Sequence, residues 1–220
     1  MSQDLDGRCV IPTQSTKDRL GRLTDRYHAK LTPSVREYLN GRGITDGAID
    51  EFRLGLVTDP DPTHEMFVGR LSIPFITPTG VVSMRFRCLE DHDCKPLKHG
   101  KYEGIAGEQS RLFNVSALHT AMGSVGICEG ELDAIVASVS GMASVGVPGA
   151  SAFKRYWYRL FDDFETVYVL GDGDSSGRKF ASELSGNIRG ARALPMPAGY
   201  DVSSYVQEHG AEAFQRLFME

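Results

Sequence analysis

Covalent cross-linking is scarce in this chain: four cysteines, Cys9, Cys88, Cys94 and Cys128, are scattered through 220 residues. A chain of that length can bury a core without staples, so the pattern argues for a reduced, intracellular protein rather than a disulfide scaffold. Long apolar runs are missing as well, and none approaches the length of a membrane-spanning helix, so no membrane partner is expected. The first eight residues are polar and acidic and lack the apolar heart of a secretory signal, which points to the cytoplasm. Positive charge is not in excess: 24 Lys and Arg against 29 Asp and Glu leave a net charge of −5. A uniformly basic nucleic-acid coat is thereby excluded, although local basic patches are not. No internal repeat or low-complexity tract is present. What remains is an ordinary globular composition with room for one large or two small domains.

The chain opens with a lead-in over residues 1–12 that has no clear period. From Thr16, a possible N-cap, Leu20, Leu23, Tyr27 and Leu31 keep helical spacing. Pro33 starts a second helix with Val35, Tyr38 and Leu39 on one face, and Gly41-Arg42-Gly43 ends it. Thr45 can cap a third, holding Ile49 and Phe52. Beyond the turn-rich Asp59-Pro60-Asp61-Pro62 the period changes to two. Strands are expected over residues 67–76 and 81–87 around the turn Thr77-Pro78-Thr79-Gly80. Alternation puts Arg85 and Arg87 on one face of the second strand. Residues 89–107 read as a long polar loop of the kind that often carries function.

The stretch 123–174 alternates strands with helices, which implies parallel pairing. Its first strand ends in Gly126-Ile127-Cys128-Glu129-Gly130, and Leu132, Ile135, Val136 and Val139 then mark a helix. Residues 142–147 form a short strand. Phe153, Tyr156, Trp157, Leu160, Phe161 and Phe164 repeat at helical spacing. A third strand ends in Gly171-Asp172-Gly173-Asp174, and a helix bearing Phe180, Ala181, Leu184 and Ile188 follows. A last strand over 191–195 and a closing helix over 211–218 complete the expectation.

Strands of a parallel sheet bring their carboxyl ends to one edge, where ligands sit. Glu129, Asp172 and Asp174 gathered there repel one another, and a hard divalent cation would offset the cost. Magnesium suits such a site, because it takes oxygen ligands and keeps waters that phosphates replace. Each acid also has a plainer reading: Asp172 and Asp174 as turn formers, Glu129 as an acid favoured near a helix N-terminus, Asp133 as a surface residue. The glycine between Asp172 and Asp174 would let the chain bend so that both face one cation. Asp133, one turn into the helix, could approach Glu129.

Glu129-Gly130-Glu131-Leu132-Asp133-Ala134 and Gly171-Asp172-Gly173-Asp174-Ser175-Ser176-Gly177 together resemble the TOPRIM domain. That domain is shared by bacterial-type (DnaG-like) primases, type IA and type II topoisomerases and several nucleases. The forms EGxxD and DGDxxG look most like primases. Tyr38-Leu39-Asn40-Gly41-Arg42-Gly43-Ile44, Phe52-Arg53-Leu54-Gly55, Ile73-Pro74-Phe75, Gly80-Val81-Val82 and Lys101-Tyr102 resemble the N-terminal subdomain of the primase core, in the same order. The expected fold is therefore α/β: a TOPRIM, Rossmann-like parallel sheet flanked by helices (116–220), preceded by a smaller mixed α+β subdomain (31–115) and an N-terminal lead-in and helix (1–30).

The resemblance implies that Glu129, Asp172 and Asp174 are catalytic and hold magnesium, for which manganese can substitute, with Asp133 and Asp201 as outer contributors. Gly199-Tyr200-Asp201-Val202-Ser203 offers one acid where the family motif usually carries two. Arg42, Lys101 and Arg85 or Arg87 would meet template or nucleotide; for any one of these cations the plainer reading is a solvated surface. The implied activity is synthesis of short RNA primers from ribonucleoside triphosphates on a single-stranded DNA template. Cys88, His92, Cys94 and His99 form a cluster in sequence, but Cys-x5-Cys lacks zinc-ribbon spacing, so no zinc is expected. A minimal core, as a phage could encode, would draw on a replicative helicase and a separate zinc-binding domain and work in the host cytoplasm. The competing classes are a TOPRIM nuclease using the same acids and a non-catalytic module that binds DNA or a helicase. A topoisomerase would need a further domain to supply its tyrosine.

Overall fold

The computed structural model of the chain describes residues 10–219, so Cys9 and most of the expected lead-in lie outside the described residues. The chain forms two compact units. One comprises Ile11–Gly41 and Thr45–Gln109; the other takes Arg42–Ile44 and the chain from Ser110 onward.

The first unit begins with α1 (Gln14–His28), capped by Thr13, whose hydroxyl accepts from the Thr16 amide. The cap expected at Thr16 therefore lies one turn earlier. Helix α1 buries Leu20, Leu23 and Tyr27, as their spacing requires. Helix α2 (Pro33–Gly41) starts on its proline, where the missing N–H costs nothing. Helix α3 (Asp46–Glu51) is capped by Thr45. Four antiparallel strands follow, β1 (Gly55–Leu56), β2 (Leu71–Thr77), β3 (Gly80–Arg87) and β4 (Tyr102–Gly104), in spatial order β1-β2-β3-β4.

Two strand expectations change. Residues 67–70 are not strand, because Asp61 caps a 3₁₀ helix (Pro62–Phe67) that turns the chain before β2. The loop expected over 89–107 is interrupted by β4, which pairs Tyr102 with Arg87. Leu23, Tyr27, Val57, Phe67, Met84 and Phe86 fill the core of this unit. Phe67 stacks on Phe86 with centroids 4.0 Å apart, and buried His64 bonds the Tyr27 hydroxyl through Nδ1 at 3.0 Å.

The second unit contains the parallel sheet. After α4 (Ala117–Thr120) come β5 (Ser124–Cys128), α5 (Glu131–Val139), β6 (Ser144–Gly146), β7 (Thr166–Leu170), α6 (Ser175–Asn187), β8 (Ala191–Ala193), α7 (Val202–His209) and α8 (Ala211–Met219). All neighbouring strands are parallel, in the order β6-β5-β7-β8. Val125, Ile127, Val145, Val167 and Val169 pack with Trp157, Phe161, Phe180 and Leu184 in one core. The aromatic stretch expected as a helix from Phe153 is a 3₁₀ segment, Arg155–Phe161, and Phe153 and Lys154 are extended between it and a preceding 3₁₀ turn, Ala150–Ala152.

The strand order positions the site. From β5 the chain moves outward to β6, then returns past β5 to β7 and continues to β8. The direction of winding reverses between β5 and β7. In open parallel sheets, the carboxyl ends at such a switch point bound the crevice where ligands bind.

Candidate functional site

Glu129 directly follows β5, and Asp172 and Asp174 follow its neighbour β7. Cys128 is paired with Leu170, so the two strands end level. The Asp172 amide donates to Glu129 Oε2 at 3.4 Å, a long bond that marks how near the two acidic turns lie. Asp174 is the N-cap of α6, its Oδ1 accepting from the Gly177 amide at 2.8 Å. The tight turn is required by packing. A Cβ on Gly173 would collide with the Pro197 carbonyl oxygen, and one on Gly177 would collide with the Asp172 backbone. Gly173 thus serves close approach of the segment after β8, which also accepts its amide at Tyr200 O (2.8 Å).

Asp133 sits in the first turn of α5, and its Oδ1 accepts from both the amide (3.0 Å) and the hydroxyl (2.8 Å) of Ser203. Asp201 caps α7: Oδ1 accepts from the Ser204 amide, while Oδ2 lies 3.5 Å from the Arg42 guanidinium. Arg42 therefore faces the outer acids, with its Nε buried and without a hydrogen-bond partner.

The electrostatics follow from this crowding. Burial, and then the charges of Asp133, Glu129, Asp201 and Asp174, push the Asp172 carboxyl up to about 7. Glu129 is raised by burial and by Asp174 and Asp133, against the lowering influence of the Asp172 amide. Asp133 is raised by burial and Asp201, against lowering by Ser203 and Arg42. One carboxylate in such a group stays protonated near neutrality unless positive charge arrives. Carboxylate oxygens such as those of Glu129, Asp172 and Asp174 are the donors that hard divalent ions prefer.

The other predicted cations lie in the first unit. Arg85 and Arg87 do share a strand face, since each guanidinium lies over the Tyr102 ring, at 5.6 and 5.5 Å. Arg87 is 3% exposed and wedged between two tyrosines, bonding the hydroxyls of Tyr38 and Tyr102. Sequence reading missed this clamp, because nothing local links Tyr38 to β3. Lys101, just before β4, is exposed. Ser203 was missed also; its signal was the Asp201-x-x-Ser204 spacing, which marks a helix start beside it.

The fold brings together a donor set that could bind zinc, against the expectation of none. Sequence spacing set aside Cys88, His92, Cys94 and His99, yet their ligand atoms all lie within 4.8 Å of one another. Pairing of β3 with β4 is the reason: the Cys88 amide donates to Lys101 O at 2.8 Å, folding the loop's two ends together.

Comparison with known proteins sets this geometry in context. No protein-family model matches the chain. It is 38% identical over 153 residues to the gene 57 protein of Mycobacterium phage D29, covering 67% of this chain and 97% of that one. It is 27% identical to the DNA primase of Aquifex aeolicus, over 90% of this chain and 47% of the relative. The chain spans about half or less of the curated primases it matches. Among solved structures, the zinc-binding and RNA polymerase domains of the Aquifex aeolicus primase superpose with a TM-score of 0.75 at 24% identity, covering 94% of this chain and 61% of that one. A DnaG primase catalytic domain bound to ssDNA gives 0.73 at 21% identity, covering 94% and 79%. These likenesses show the fold of the primase catalytic core.

Proposed function

Since the chain belongs to the family of the gene 57 protein of Mycobacterium phage D29 and has the primase-core fold, we propose that it is a DNA primase catalytic core making short RNA primers. The carrying observation is the placement of Glu129, Asp172 and Asp174 just after β5 and β7, at the reversal point of the sheet, with Asp172 raised to about 7. In this reading the second unit is a TOPRIM domain and the three acids hold magnesium or manganese. A bound ion supplies charge stabilisation at the α-phosphate and the leaving pyrophosphate, and orientation for the attacking 3′-hydroxyl.

The chain's own share is positioning and charge placement. Glu129 and Asp172 present carboxylates from adjacent strand ends, and Asp174 stands at the N-terminus of α6. Asp133 and Asp201 act as outer acids, held by Ser203 and Arg42. Lys101 and Arg85 meet phosphates of single-stranded DNA or of an incoming ribonucleotide, and Arg87 braces Tyr102 beside them. A DnaG catalytic domain bound to ssDNA supports a nucleic-acid partner for this fold. A replicative helicase and a zinc-binding domain, in the host cytoplasm, are the further partners of this reading. Among the described residues no helix is long and apolar enough to cross a membrane.

The test is primer synthesis from labelled ribonucleotides on a single-stranded template with magnesium or manganese. Oligoribonucleotides from the wild type and none from Asp172→Ala support the reading. Nicking of plasmid without primer synthesis would assign the same acids to a nuclease.

A further inference from the structure

The loop joining β3 to β4 holds a second constellation, separate in chemistry from the carboxylates. We propose that Cys88, His92, Cys94 and His99 bind one structural zinc ion that staples this loop. Two thiols and two imidazoles are the donor set of closed, four-coordinate zinc sites. The spacing suits it too. Bond lengths of about 2.0 to 2.3 Å in a tetrahedron place ligand atoms roughly 3.3 to 3.8 Å apart. Here His92 Nε2 lies 3.1 Å from His99 Nε2 and 3.7 Å from Cys88 Sγ. All four ligand atoms fall within 4.8 Å, a small contraction away from closure.

The surroundings explain why a staple is needed. Cys88 and Cys94 are buried, while Leu97 between Cys94 and His99 is 58% exposed and adds nothing to a core. No disulfide joins the two thiols. Arg70 holds the loop near β4, reaching the Gly100 carbonyl (3.1 Å) and the Glu103 carboxylate (3.0 Å). On metal binding each thiol releases one proton to solvent and both imidazoles stay neutral. Zinc with two thiolates then has no net charge, which suits a half-buried position.

The consequence concerns Lys101, which follows this loop directly and whose carbonyl holds Cys88. Its placement next to β4 would depend on the zinc; only that consequence rests on the proposed primase function. Zinc binding itself is read without any activity. The full chain would be purified reduced from zinc-supplemented medium and its metal content measured. The expectation is about one zinc per chain, falling to less than about a tenth in Cys94→Ser. Cobalt replacing zinc should give a thiolate-to-cobalt charge-transfer band and tetrahedral visible bands. Both should weaken in His92→Ala, whose exposed side chain makes misfolding no explanation. A metal-free chain that also shows no cobalt–thiolate band overturns the proposal, as does zinc retained undiminished in Cys94→Ser. Failure of primer synthesis with zinc present would count against the proposed function instead.

Discussion

Replacing Asp172 by asparagine should stabilise the metal-free protein while removing its response to magnesium. Asparagine keeps the shape and deletes the charge, and the Asp172 amide that reaches Glu129 belongs to the backbone and is untouched. In the wild type the carboxyl titrates at about 7 in the fold against 3.8 when unperturbed. Between those values the folded chain keeps a proton that the unfolded chain has released. Folding then binds protons, and stability falls as pH rises across that window. At about 1.4 kcal/mol per unit the ceiling is ~4 kcal/mol above neutrality. Asp172 is only partly buried, so solvent screening brings this to about 1–2 kcal/mol. For a chain of this size that is a rise in Tm of roughly 2–8 °C for Asp172→Asn.

The assay is thermal unfolding by circular dichroism, in chelator and in magnesium, at acid and alkaline pH. In chelator at about pH 8.5 the variant should be the more stable, and near about pH 4 the two should converge. Magnesium at ten times its dissociation constant should lift the wild type by about 1.4 kcal/mol and the variant by little. If Asp172→Asn proves less stable than the wild type in alkaline chelator, the carboxylates do not repel as argued. Equal lifting of both proteins by magnesium would remove Asp172 from the metal site.

Lys101→Ala should leave the unfolding free energy within about 0.5 kcal/mol of wild type, because the side chain is exposed, and should cut the salt slope of single-strand binding by about 1. Arg87→Met should cost about 2–4 kcal/mol in urea unfolding, since it removes the guanidinium from two tyrosine hydroxyls and two ring faces, so its loss of activity must be corrected for folding. Gly173→Ala should unfold or distort the site turn by more than about 3 kcal/mol, visible as lost amide protection after β7, because its Cβ meets backbone at Pro197. His64, lowered by burial, should weaken the first unit on acidification: the unfolded chain takes up a proton below about 6.5 that the folded chain refuses, and a stability profile flat across that range would contradict it.

How far such a site can be read from sequence depends on what kind of distance its chemistry needs. Glu129 and Asp172 were legible because each ends an apolar run, and parallel pairing brings strand ends together whatever the intervening length. The helices over Leu20–Tyr27 and Leu132–Val136 were legible because their burial keeps a local period. Strand β4 has three residues and no period to show, and α7 is capped by Asp201, a residue with a second reading as a ligand. The Arg87 clamp joins Tyr38 to Tyr102 through β3, so only the folded sheet reveals it. The cysteine–histidine cluster carries the same lesson furthest. Zinc-ribbon spacing counts residues along the chain, whereas a metal counts ångströms. A hairpin that hydrogen-bonds Cys88 to Lys101 makes the intervening length irrelevant and leaves the four donors to meet across it.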